Sequence, residues 1–163
     1  MSAVARAPRP GETERVARDR VRPAIPADAP EIAVLLGQLG YPSSTDRVLD
    51  RIMRLAADGS QAVLVFESMG RVIGLVTAWV GDCIERDGPI GRVTALVVAE
   101  GQRGRGVGAR LLEHAEDWMR SRGAGMAIIN ARQKRTDAHR FYASRNYSVT
   151  GLRFTKPLVT IFL

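Results

Sequence analysis

The 163-residue sequence predicts an α/β fold, a mixed central sheet with helices on both faces in the order β-α-α-β-β-β-α-β-α-β. Three observations carry this expectation. Two amphipathic helical runs follow a short opening strand, three β-rich runs come next without an intervening helix, and the carboxyl-terminal half alternates helix and strand after a glycine-rich turn.

Residues 21–24 form the expected first strand. Asp28 is placed to cap the following helix, with Glu31 three residues on as in a capping box. Ile32, Leu35, Leu36 and Leu39 recur at helical spacing until Gly40 ends the run. Residues 43–58 repeat the pattern through Val48, Ile52 and Leu55. Residues 62–67 and 72–80 are apolar and β-branched, and Met69-Gly70 between them suits a tight hairpin. After a connection over 81–89, residues 91–99 are apolar on both faces, as in the middle of a covered sheet. A helix follows with Val107, Leu111, Leu112, Ala115, Trp118 and Met119 as its buried stripe, stopped by Gly123 and Gly125. Residues 126–131 read as a short strand and 136–145 as a helix with Ala138, Phe141 and Tyr142 inward. Residues 147–162 supply one or two closing strands.

Composition narrows the function classes. Apolar residues make up 45% and charged residues 25%, as in ordinary globular proteins. No apolar run approaches the roughly 18 residues of a membrane span, and the first residues lack the apolar core of a signal peptide. The single cysteine, Cys83, excludes an internal disulfide and fits a reducing cytoplasm, which is the expected location. Net charge is +7, and +3 of it falls in residues 1–22, where six arginines face Glu12, Glu14 and Asp19. With Pro8, Pro10 and Gly11 and no aromatic residue, residues 1–19 read as a disordered basic leader to a domain over 20–163. No nucleic-acid module is recognisable. Two distant histidines and one cysteine make no zinc pattern, so no metal is expected. Cys83 and Ser144 lack the base and orienting group of a nucleophilic triad.

The most informative stretch is Gln102-Arg103-Gly104-Arg105-Gly106-Val107-Gly108, between the apolar strand and its helix. A diphosphate needs several backbone N–H groups converging on one point, and a helix N-terminus offers them with a favourable dipole. Glycines keep side chains from holding phosphate oxygens off the backbone, and Arg103 and Arg105 add positive charge. Two other readings compete: a plain tight turn, and a dinucleotide fingerprint, since Gly104 to Ala109 satisfies G-x-G-x-x-A. Against the fingerprint, the turn comes late in the domain, after two helices and a hairpin. The next strand also ends in Asn130-Ala131-Arg132, without an acid for a ribose.

This segment resembles the GNAT superfamily of acetyl-CoA-dependent N-acetyltransferases, whose [Q/R]-x-x-G-x-[G/A] signature is matched by Arg103, Gly106 and Gly108. The element order agrees over roughly residues 20–163. Residues 138–147, Ala-His-Arg-Phe-Tyr-Ala-Ser-Arg-Asn-Tyr, are similar to the family's A-x-x-F-Y-x-x-x-G-[F/Y] segment, with Asn146 in place of glycine. Asparagine tolerates the left-handed conformation that ends a helix, so the exchange is mild. The resemblance implies acetyl-CoA as cosubstrate, held by Arg103, Gly104, Arg105, Gly106, Val107 and Gly108 at its diphosphate. It also implies that the backbone of Leu96, Val97 and Val98 pairs with the pantetheine amides. Arg135 stands where many members carry asparagine near the pantetheine, and reaches a phosphate instead in this reading. Tyr142 matches the tyrosine that protonates the departing thiolate; a phenol near pKa 10 can donate to or hydrogen-bond a thiolate near 8.5.

The opposite proton is less well served. An ammonium cannot attack a thioester, and the family often places a carboxylate on the central strand where this chain has Thr94 and Ala95. Glu85, with Asp82 and Glu100 as alternatives, is the candidate base through ordered water; His139 is a further candidate, and His114 lies on a solvated helix face. The expected function is transfer of acetyl to a primary amine of a small molecule, by direct attack in a ternary complex. Residues 135–142 lean that way by resembling small-molecule acetyltransferases of the aminoalkylphosphonate type. The alternatives are a non-catalytic acyl-CoA-binding or interaction module on the same fold and a protein or peptide acetyltransferase. Neither nucleic acid nor membrane is an expected partner, and the resemblance leaves a homodimer open.

Overall fold

In the computed structural model the described residues are 19–131 and 135–158. The leader over residues 1–18 and the last residues of the expected closing strands, 159–163, lie outside them. The chain divides into two compact units, one ending at Ile128 and the other beginning at Ile129.

The first unit is built on a sheet ordered β1 (Arg20–Pro23), β2 (Gln61–Ser68), β3 (Arg71–Gly81), β4 (Ile90–Val98) and β5 (Ala127–Ile129, which crosses the unit boundary). β1 to β4 pair antiparallel in sequence. Between β1 and β2 stand a short 3-10 turn (Pro26–Asp28), α1 (Ala29–Leu39) and α2 (Thr45–Ala57). The β2–β3 hairpin closes through Met69 and Gly70 at φ 50° and 77°, the paired positive angles that match strand twist in a two-residue turn. α3 (Val107–Ser121) then crosses over to bring β5 beside β4, the connection a parallel neighbour requires.

Each sheet face has its own cover. Alternation along β3 sends Leu75, Thr77 and Trp79 to a front face and Gly74, Val76, Ala78 and Val80 to a rear face. α1 and α2 pack on the front, where Ile32, Leu35, Val48 and Ile52 join Val65, Leu75 and Val97 in one core. α3 packs on the rear through Val107, Leu111, Leu112, Ala115 and Met119, all buried. It comes close because Gly74 has no side chain: a Cβ there would lie 2.8 Å from Leu111 Cδ1.

Three expectations change. First, β4 is not covered on both faces: its rear side is buried at Gly91 and Val93, but the front is covered only at its start, Ile90, and near Val97, leaving Arg92 and Thr94 exposed between them. α1 and α2 are too short to roof the whole strand. Second, Asp28 makes no side-chain cap on α1 and forms no box with Glu31. Its carboxylate instead takes Arg22 Nη1 and Nη2 at 2.7 and 2.9 Å and the Ile25 N–H at 2.8 Å. Glu31 binds Arg71 Nε and the Val72 N–H. The half-buried Arg22 outbids a helix terminus for Asp28, because charge-assisted bidentate bonds are the stronger ones.

The third change concerns the second unit. It contains α4 (Thr136–Ala143), closed by Asn146 at φ 64° in the left-handed conformation expected of it. No strand forms among residues 147–158, where Val149, Leu152, Phe154 and Leu158 are each more than 80% exposed. Strand propensity needs an edge to pair with before it becomes a strand, and none is engaged there.

Among the described residues no helix is long and apolar enough to cross a membrane, and no cluster of metal-ligating side chains occurs.

Candidate functional site

β4 leads through residues 99–106 into α3, and its turn has the properties of an anion cradle. Gly101, Gly104 and Gly106 adopt φ of 76°, 73° and 79°, a conformation L side chains rarely take. A Cβ added at any of them would meet no protein atom within 4 Å, so the space beside them is open. Gly106 is the N-cap of α3, no side chain caps the helix, and no acid lies in its first turn. The first intrahelical bond runs from Arg110 N to Gly106 O at 3.1 Å, leaving the N–H groups of Val107, Gly108 and Ala109 without a carbonyl one turn back.

Arg103 and Arg105 flank the turn and are exposed. Arg103 Nε donates to Val98 O at 3.2 Å and Arg105 Nη1 to Gln102 Oε1 at 2.7 Å, so each guanidinium keeps further donors outward. The end of α1 buttresses the start of the turn, as the Glu100 N–H donates to Gln38 Oε1 at 3.0 Å.

The neighbouring part of β4 has an open edge. β5 has three residues against nine in β4, and the two meet where the Gly91 N–H donates to Met126 O at 2.7 Å. Leu96, Val97 and Val98 lie five to seven residues beyond Gly91, past the reach of so short a strand. Among the described residues their backbone pairs with Val76, Leu75 and Gly74, on the β3 side. A strand edge of this kind presents N–H and C=O groups to an extended ligand.

Midway along β4 the ladder with β3 slips: Thr77 faces Ala95 while Ala78 faces Val93, making Thr94 the extra residue of a bulge. The bulge turns Thr94 to the front face, where its hydroxyl lies 2.7 Å from that of Thr77 and 3.3 Å from the Thr77 carbonyl oxygen. Both threonines are polar groups on the uncovered half of the front face. This hydroxyl pair was invisible to sequence reasoning, because it joins residues on two strands through a register slip.

Glu85 sits elsewhere. It is exposed in the loop before β4, where it borders a solvent-open cavity of about 410 Å³ with Pro89, Ile90, Gly123 and Met126. That cavity lies at the opposite end of β4 from the glycine-rich turn, about 20 Å from Leu96 at 3.3 Å per residue. Asp82 is in the same loop and Glu100 is exposed at the start of the turn. His114 is exposed on α3 with Nδ1 2.8 Å from Arg110 O, as its helical position predicts.

In the second unit, Tyr142 is half-buried between two rings, edge-on to Phe141 at 5.3 Å and to Tyr147 at 5.9 Å. Burial pushes its phenol above the ordinary value of 10.0; Arg135 draws it down and Asp137 adds to the rise. Arg135 is the N-cap of α4 and approaches Asp137 at 3.8 Å. His139 lies one turn before Ala143 on the same helix.

The sequence model of the acetyltransferase (GNAT) family matches residues 31–147. The aminoalkylphosphonate N-acetyltransferase of Salmonella typhimurium is 36% identical over 89 residues, which cover 55% of this chain and 58% of that protein. The matched stretch therefore spans little more than half the relative's length. Among solved structures, glucosamine-6-phosphate N-acetyltransferase from Arabidopsis thaliana superimposes with a TM-score of 0.76 at 19% identity, covering 86% of this chain and 99% of that one. AAC(6')-Iy, in complex with the bisubstrate analogue CoA-S-monomethyl-acetylneamine, gives 0.75 at 16% identity over 87% and 99%. At such identities these two likenesses speak for the fold.

Proposed function

This chain belongs to the acetyltransferase (GNAT) family, and from that premise we propose that it transfers acetyl from acetyl-CoA to the primary amine of a small molecule, by direct attack in a ternary complex. The single observation that carries the cosubstrate assignment is the uncapped first turn of α3 behind glycines held at positive φ. A diphosphate is the group such an array of N–H donors suits.

The residues present fit that cosubstrate. Gly104, Gly106, Val107 and Gly108 would hold the diphosphate through their backbone, with Arg103 and Arg105 supplying charge. The open edge at Leu96, Val97 and Val98 would pair with the pantetheine amides. Acetyl-CoA brings an acyl group already activated as a thioester. Pairing along β4 orients that group toward the bulge and leaves the front face to the acceptor.

Two protons then need handling. The acceptor ammonium must lose one before its nitrogen can attack. No carboxylate occupies the bulge, so the paired hydroxyls of Thr77 and Thr94 hold the water that receives it, and the loop before β4, Glu85 included, passes it to solvent. Tyr142 donates to the departing thiolate. Its support is the similarity of residues 138–147 to the family segment and a buried phenol that stays protonated at neutral pH. The named substrates of the relatives, an aminoalkylphosphonate among them, support a small amine over a protein acceptor.

The absence of a carboxylate from the bulge favours one other reading, a binder of acyl-CoA without turnover. Thermal shift with acetyl-CoA, followed by thiol release across a panel of amines, separates the two. Stabilisation with no thiol release for any amine would leave only the binder, and no stabilisation would defeat both.

A further inference from the structure

We infer that Arg92 reads an oxyanion on the acceptor, so that the preferred substrate is a short amine carrying a phosphonate, phosphate or carboxylate. This rests on the front face of β4 being the acceptor side, as proposed above. β4 is an interior strand, flanked by β3 and β5, yet Arg92 is exposed on it. An interior strand shows a side chain to solvent only where its sheet face is uncovered, and among the described residues this stretch is an uncovered floor of the sheet. Among the described residues its guanidinium has no ion-pair or hydrogen-bond partner. Other arginines standing on the sheet are bound: Arg22 by Asp28 and Glu67, and the exposed Arg71 by Glu31.

The neighbours of Arg92 suit an acceptor. Its cross-strand partner is Trp79. The indole lies back over Gly81, where any Cβ would overlap the ring, so the tryptophan forms a wall and leaves the floor clear. Arg92 and Thr94 point to the same face, about 7 Å apart along the strand. An amine at the threonine pair and an anion at Arg92 are thus bridged by two or three carbons lying against Trp79. A planar guanidinium binds such an oxyanion by two parallel hydrogen bonds, which a lysine could not reproduce.

The test measures kcat/KM at saturating acetyl-CoA for 2-aminoethylphosphonate, 3-aminopropanoate and propylamine, which share amine and length but differ in the end group. Wild type should favour at least one anionic amine over propylamine by about tenfold to a hundredfold, the yield of a charge-assisted pair. Arg92→Gln should shrink that preference to within about threefold. Arg120→Gln, an equal change in charge on the far face of α3, should retain it. Comparing phosphonate with carboxylate tells which oxyanion is read. No preference in wild type, or a preference that survives Arg92→Gln, overturns the inference. If no amine turns over, calorimetry with the same amines in saturating CoA decides the point separately. Anion binding lost in Arg92→Gln upholds Arg92 while the transferase reading falls, whereas anion binding absent or unchanged overturns Arg92.

Discussion

Replacing Gly106 by alanine separates the backbone cost of the glycine-rich turn from its use as a cradle. Gly106 sits at φ 79° and an added Cβ meets nothing within 4 Å, so the folded chain loses no packing. The penalty is the left-handed conformation itself, about 1–2 kcal/mol for an L residue. In a domain of this size that lowers the melting temperature by about 2–8 °C. Gly70 is a matched control: φ is 77°, its Cβ also meets nothing, and it lies in the β2–β3 hairpin. Gly70→Ala should therefore cost about the same stability. The two must differ in ligand affinity. At Gly106 the methyl group projects into the open space and displaces a phosphate oxygen from the N–H groups of α3. Losing one hydrogen bond to a charged oxygen is worth about 1.5–3 kcal/mol, about a tenfold to hundredfold rise in Kd. Calorimetric titration with coenzyme A at fixed ionic strength measures this directly. If both variants bind coenzyme A alike, at whatever stability, the turn is only a turn and the cradle argument fails.

Tyr142→Phe should lower kcat by about a hundredfold or more while KM for acetyl-CoA moves little, because a proton donor acts in the transition state; unchanged turnover would remove the role. The raised phenol pKa means its proton is lost only above pH 10, so any fall in rate between pH 8 and 9 must come from another group, and Tyr142→Phe should leave that limb in place. Burial opposes ionisation of Asp28, but Arg22 and the Ile25 N–H outweigh it and hold the carboxyl below its ordinary value. The resulting stability is full above about pH 4 and is lost as pH falls through the folded pKa. Asp28→Asn should cost about 1.5–3 kcal/mol at pH 7 and flatten the acid limb of urea denaturation curves; an unaltered limb would contradict the assignment. Leu111, fully buried between α3 and Gly74, should cost about 2–5 kcal/mol on truncation to alanine, read from the urea midpoint with the m-value unchanged.

Periodicity was the reliable guide to the fold. The helical spacing from Ile32 to Leu39 and from Val107 to Met119 marked two of the three helices that cover the sheet, and Met69-Gly70 and Asn146 marked a turn and a helix end through their backbone angles. Such signals are legible because their cause lies within a few residues. The uncapped start of α3 behind positive-φ glycines was legible for the same reason: glycines, arginines and a helix start sit side by side at residues 102–108.

Partnership was not legible. Asp28 and Glu31 have the spacing of a capping box, but their carboxylates serve Arg22 and Arg71, the latter forty residues away. Thr94 looked like a missing carboxylate, and only the register slip against Thr77 makes it half of a hydroxyl pair. Val149, Leu152 and Phe154 have the residue types of a strand without an edge to join. By itself, then, the order of residues determined most of the helices and strands and where the uncapped backbone N–H groups of α3 gather, because propensity and glycine geometry act locally. Which face of β4 is roofed, which hydroxyls meet and which arginine is left exposed on the sheet were decided by tertiary packing, because those depend on helix lengths and strand register between residues far apart in the chain.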